Sequence, residues 1–293
     1  METPLHRETS QPKPIKAVHP FWYKLKQNRM TWVGLGILAF IVICSLFAPV
    51  LTSYNPTQID ISQKFQAPSM HHWFGTDEVG RDILTRILYG ARISLGVGIT
   101  VIIIASIIGI LIGTVSGYFG GIMDLVIMRI MDMVMAFPTL ILAMALAAAL
   151  GPSLQNAMLA IAIVKIPVYV RLARGESLVI KEKLFVKSAE SFGINPWRII
   201  VKHIVPNSVS PVIIQATLDV GDAILMIATL GFLGLGAQPP APEWGAMISI
   251  GWKYLLDYWW YPAFPGLFLF LSAGSLNLIG DGIRDILDPK AGR

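Results

Sequence analysis

Charge is scarce in this 293-residue chain: Asp, Glu, Lys and Arg make up 14% of it, against 54% hydrophobic residues. An ordinary soluble domain carries about a quarter of its residues as charges, so that class is excluded. Cysteine is almost missing as well. Cys44 is the single one, so no intrachain disulfide and no thiolate metal cluster can form, and its place in an apolar run suits a small buried hydrophobe. No stretch reads Gly-x-x-x-x-Gly-Lys-Ser/Thr, the loop that cradles ATP phosphates. Gly234-Leu235-Gly236 lacks the third glycine of a dinucleotide loop. The histidines at 6, 19, 71, 72 and 203 include no His-Glu-x-x-His pair, which argues against a zinc protease. His71 and His72 read as solvated loop residues. With no catalytic constellation, no metal site and no cofactor expected on the chain, the absences describe a conduit rather than an enzyme.

Apolar length is what the chain has instead. A bilayer core about 30 Å thick takes roughly 20 residues of helix, and six segments qualify, near 30–50, 93–117, 123–150, 154–171, 207–236 and 259–280. The cations fall unevenly between them. Residues 1–29 hold 6 Lys or Arg, the stretch 171–206 holds 7 and the C-terminal end 3, whereas the opposite side holds 5. Positive charge marks the cytoplasmic side, so both termini and the 171–206 loop are expected inside. The net charge of +5 therefore tracks membrane sidedness, and no nucleic-acid partner is expected. The chain divides into a cytoplasmic tail (1–29) with an interfacial helix over His19–Met30, a first span with its extracytoplasmic segment (30–92), a core transmembrane domain (93–285) containing a loop at 174–206, and a second tail (286–293).

Within that frame, Asp82 is expected to start a short amphipathic helix lying on the outer surface, since Ile83, Leu84, Ile87 and Leu88 recur at helical spacing. Ala105, Gly109, Gly113, Gly117 and Gly121 form a small-residue ridge suited to close helix packing in lipid. Pro138, Pro167 and Pro265 invite kinks in their spans. Ionisable residues at bilayer depth cost about 2.5 to 3.5 kcal/mol each and need partners. Arg129 and Asp132, three apart on one face, are expected to pair. Asp219 and Asp222 have no cation within a helical turn; they either bond to neighbouring helices or line a pathway and meet a substrate ammonium group. Lys165 is expected to snorkel towards the interface.

The 171–206 loop can form one helix over Glu182–Phe192 and, after a turn at Gly193, a second over Pro196–Val205, which Pro206 would end. Lys187-Ser188-Ala189, Gly193 and His203-Ile204-Val205-Pro206 keep the spacing of the pattern Glu-Ala-Ala, three residues, Gly, nine residues, Ile-x-Leu-Pro. The segment resembles the coupling loop of ABC importer permeases, with Lys187 standing where that family has an acid and Glu190 beside it. Gly75-Thr76-Asp77-Glu78-Val79-Gly80-Arg81-Asp82, Met128-Arg129-Ile130-Met131-Asp132, Gly234-Leu235-Gly236-Ala237-Gln238-Pro239-Pro240 and Asn277-Leu278-Ile279-Gly280-Asp281-Gly282 look like the second permease subunit of dipeptide and oligopeptide importers. The likeness runs from about residue 20 to 290, and Ala147–Gly175 is most similar to the branch that imports D-alanyl-D-alanine type dipeptides.

That resemblance implies an all-α type I importer permease with six spans. Its implied partners are a homologous permease, two ATPase subunits carrying ATP and Mg, and an extracytoplasmic binding protein that delivers a short peptide. Lys187, Ser188, Ala189, Glu190, Gly193, His203 and Pro206 would couple to the ATPase. Nickel-chelate and glutathione importers share the framework, and an ATPase-independent channel is the rival from another class.

Overall fold

The computed structural model describes residues 28–287; the interfacial helix expected before residue 28 and the tail beyond 287 lie outside them. Helix α1 (Arg29–Leu46) begins where the Asn28 side chain accepts from the Thr31 N–H at 3.3 Å. It is followed by α2 (Ile83–Phe119), α3 (Gly121–Met135), α4 (Thr139–Leu150), α5 (Leu154–Lys181), α6 (Leu184–Ser191), α7 (Pro196–Phe232), α8 (Trp244–Trp252) and α9 (Trp260–Leu287). No strand occurs among the described residues. The protein is an all-helical membrane protein. Helices α1, α2, α5, α7 and α9 are each long and apolar enough to cross a bilayer, and α3 with α4 makes a sixth segment bent by 92°. Pro138 causes that break: it has no N–H to continue α3, and its carbonyl instead starts α4 by accepting from Leu142 N–H at 3.0 Å. The third expected span is therefore two half-helices.

Helix α2 corrects another expectation. Asp82 does cap a helix, taking the Thr85 N–H at 2.8 Å, but the helix runs unbroken for 37 residues, about 55 Å. Nothing between Asp82 and Gly120 interrupts it, so its first turns stand upright instead of lying on a surface. The loop 52–82 wraps them, burying even Arg86, which donates to the carbonyls of Pro56 (2.8 Å) and Pro240 (3.3 Å). Asp77 is buried beside it and accepts from the Arg81 side chain at 2.6 Å. Asp82 also meets His72 Nδ1 at 2.9 Å, while His72 Nε2 meets Gln63 at 2.7 Å. His72 is thus a buried structural residue, and only His71 of that pair is exposed.

Three buried clusters stack along the bundle. One gathers Ile41, Ile83, Ile87, Trp244 and Tyr261 at the end formed by α8 and the 52–82 loop. The middle one joins α2, α4, α5 and α7. A third, with Tyr118, Ile180, Val186 and Ile200, lies at the opposite end beneath α6.

The seam between α2 and α5 sets this arrangement. A β-carbon at Gly109 would overlap the Tyr169 side chain, one at Gly113 the Val170 carbonyl oxygen, and one at Gly117 would stand 2.8 Å from the Arg174 oxygen. Gly121 leaves the ridge and opens α3 at positive φ. On the other side of α2, Ile99, Ile103, Ile107 and Leu111 are exposed, so one four-residue period carries both the packed and the outward face. Gly113→Val is expected to destabilise the fold by about 1–3 kcal/mol or more through overpacking; a lowered thermal midpoint in detergent would show it, and an unchanged one would refute the seam's role.

Candidate functional site

Two features stand apart from the packed bundle: a projecting helical knob at one end and a charge cluster at bilayer depth. The knob is α6, a turn, and the first turns of α7. Its turn has the hydrogen bonds of a Schellman cap: Gly193 N–H donates to Glu190 O at 2.9 Å and Ile194 N–H to Ala189 O at 3.1 Å. Gly193 holds φ at +71°, a left-handed conformation that costs residues with a β-carbon about 1–2 kcal/mol. Asn195 then caps α7, accepting the Trp197 N–H at 2.9 Å, with Pro196 in the first helical position.

The sequence pattern of the loop sorts into an inner and an outer face. Val186 and Ala189 are buried against Ile180, Ile199 and Ile204. Glu190 accepts from the Tyr118 hydroxyl at 2.9 Å, tying the knob to α2. Leu184 and Phe192 are 84% and 85% exposed, and Trp197 and Val201 are exposed too. Ser188 is also exposed, and the His203 ring lies 5.9 Å from that of Phe185. Lys187 bonds Glu182 at 2.5 Å, both exposed, and this bond holds the Glu182 carboxyl below its ordinary range. The lysine at the acidic position of the pattern is therefore neutralised within the knob.

Pro206 does not end the helix as expected. Residues Ile200–Ile204 form a π turn, with Val205 N–H donating to Ile200 O, and the side chains of Asn207 and Ser208 donate to the carbonyls of His203 (2.6 Å) and Ile204 (3.0 Å). A π turn immediately before the proline lets the helix continue past a residue that has no N–H to donate. The second half of the knob and the fifth crossing segment are one continuous helix of 37 residues, Pro196–Phe232.

The charge cluster sits on that same helix. Lys165 of α5 points its Nζ at Asp222 (2.5 Å) and Asp219 (3.3 Å) of α7, and the Tyr169 hydroxyl donates to Asp219 at 2.7 Å. Lys165 does not snorkel. Helix α5 continues to Lys181, so Lys165 lies 11 residues from the start of α5, about 16 Å in. Asp222, 10 residues from the end of α7, lies about 15 Å in. Both therefore reach the middle of the bilayer. The cation that the two aspartates lack on their own helix comes from across the seam, a contact no local spacing reveals.

Arg129 and Asp132 are not brought together. Asp132 pairs with Arg171 of α5 at 2.5 Å, and Arg129 is exposed. Asp124 takes a bidentate bond from Arg174 at 2.5 and 2.6 Å. Both partners come from α5, which packs against α3 and brings its arginines within reach of these carboxylates. Among the described residues no group of three His, Cys, Asp or Glu side chains is placed to hold a metal.

A bent third span, a packed glycine seam, a charge cluster within the helices and a projecting knob are the features of an all-helical membrane protein of the permease class, and similarity to known proteins gives the family. Residues 105–293 match the family described as binding-protein-dependent transport system inner membrane component. Residues 19–68 match the N-terminal TM domain of oligopeptide transport permease C. The chain is 51% identical to the probable D,D-dipeptide transport system permease protein DdpC of Escherichia coli (strain K12), covering 98% of both chains. It is 47% identical to the dipeptide transport system permease protein DppC of Alkalihalophilus pseudofirmus, covering 97% of this chain and 95% of that one. To DppC of E. coli (strain K12) it is 44% identical over 96% of each. This chain belongs to the binding-protein-dependent transport system inner membrane component family.

Proposed function

We propose that this permease carries short peptides, dipeptides of the D-alanyl-D-alanine type first among them, through the inner membrane by alternating access, with both of its termini in the cytoplasm. It works beside a homologous permease, with two ATPases that hold ATP and Mg and an extracytoplasmic binding protein that presents the peptide. The chain itself hydrolyses nothing. The full-length identity to dipeptide permeases supports the cargo class. One observation carries the mechanism: the second half of the knob, with exposed Trp197 and Val201, and the Asp219–Asp222 cluster lie on one continuous helix, 26 residues or about 39 Å apart from Pro196 to Asp222.

An ATPase that grips Leu184, Phe192 and Trp197 can thus tilt α7 as a lever and change access at mid-bilayer. Lys187, Ser188, Ala189, Glu190, Gly193, His203 and Pro206 shape that grip, and Asp219 and Asp222 line the pathway. The internal Lys187–Glu182 bond means that docking rests on shape and apolar contact at this side. Copurified subunits reconstituted in proteoliposomes are expected to take up a labelled dipeptide only with ATP and the binding protein. Flux without ATP would make the chain a channel, and a nickel chelate or glutathione retained by the binding protein would replace the cargo class.

A further inference from the structure

We propose that Asp222 is the binding site for the α-ammonium group of the peptide in transit, and that Lys165 occupies this site while no peptide is there. The proposal rests on the import reading above. At mid-bilayer Lys165 faces two carboxylates, so the cluster carries one unbalanced negative charge. The imbalance is not shared evenly. Asp219 is only 13% exposed and is held from two sides, by Tyr169 and by Lys165, whereas Asp222 is 55% exposed with Lys165 as its one charged partner. A carboxylate open on one side of this single chain cannot face lipid at this depth; it faces a partner subunit or a water-filled passage, and the cavity in front of it favours the passage.

The space in front of it suits a dipeptide. Lys165 and Asp222 line a cavity of about 350 Å³ together with Thr139, Leu140, Leu225 and Thr229, within the range of small-molecule sites, about 300–1,000 Å³. One wall is the start of α4, just past the 92° break. A primary ammonium has the charge and the three donors of the lysine head that already bonds Asp222. As it arrives, Lys165 can swing fully to Asp219, which Tyr169 keeps oriented. One cation replaces another, so no bare charge is left at low dielectric.

The test uses the reconstituted complex with saturating binding protein and a labelled dipeptide. Asp222→Asn leaves Lys165 paired with Asp219, so the subunits are expected to copurify normally while uptake falls at least about tenfold, as loss of a charge-assisted bond implies. The double variant K165Q/D219N keeps the single open carboxylate and is expected to transport at least about fivefold faster than D222N. Unchanged uptake in D222N overturns the proposal. So does equal loss of uptake in both variants with assembly intact, because the cluster would then be structural. Failure of the unmodified complex to take up any dipeptide overturns the import reading itself, a separate result.

Discussion

Valine at position 193 is expected to leave the subunits assembled and ATP hydrolysis running while peptide uptake falls by at least about tenfold, a loss of about 1.4 kcal/mol or more of coupling. The position is empty around a β-carbon, with nothing within 4 Å, so the effect cannot come from a clash. It comes from the backbone. At φ +71° a β-branched residue is strained, and relaxing it breaks the paired bonds from Gly193 to Glu190 and from Ile194 to Ala189. Those bonds fix the angle between α6 and α7. Asparagine tolerates the left-handed region, so Gly193→Asn, comparable in bulk, is expected to keep uptake close to that of the parent. Uptake and ATP hydrolysis measured together in proteoliposomes decide the matter: normal uptake in G193V would remove the knob from coupling.

Neutralising both aspartates is expected to cost the protein its fold rather than its transport alone. Asp219 and Asp222 have no cation within a turn on their own helix, and on that ground alone replacing both with Asn would spare assembly. The cluster reverses that expectation, because D219N/D222N strips Lys165 of both carboxylates and leaves a buried, unpaired ammonium in the membrane. Removing the partners of a buried charge costs about 3–5 kcal/mol. The double variant should therefore show a lower thermal midpoint and poor recovery of the complex. Adding Lys165→Met removes the stranded charge and is expected to restore the midpoint without restoring uptake. A double variant as stable as the parent would show that Lys165 reaches water by another route.

The residues differ in how far their sequence neighbourhood announced them. The glycine ridge was legible because a four-residue period is a property of one helix, and packing against α5 merely supplied the other side. The Gly193 turn was legible for the same reason: a left-handed cap between two helical segments is local chemistry. Pro206 misled because a missing N–H normally stops a helix, and here a π turn runs into Val205 and the helix continues through the proline to Phe232. Arg129 misled because spacing on one helix favoured Asp132, whereas Arg171 reaches it from α5. His72 looked solvated because nothing within the loop shows that Asp82 and Gln63 close over it.

By itself, the sequence determined that this chain lives in a membrane, that five or six of its segments are apolar enough to cross it, and that a charged helical loop interrupts them. Those properties depend on composition, hydrophobic length and backbone preferences, all of which are written over a few consecutive residues. Only the tertiary structure decided which charges meet, and that the second half of the knob and the mid-bilayer aspartates share one continuous helix. In hydrocarbon a buried ion takes whichever opposite charge the packing brings within reach. For Asp219 and Asp222 that partner lies more than fifty residues away in sequence, on a different helix that packs alongside.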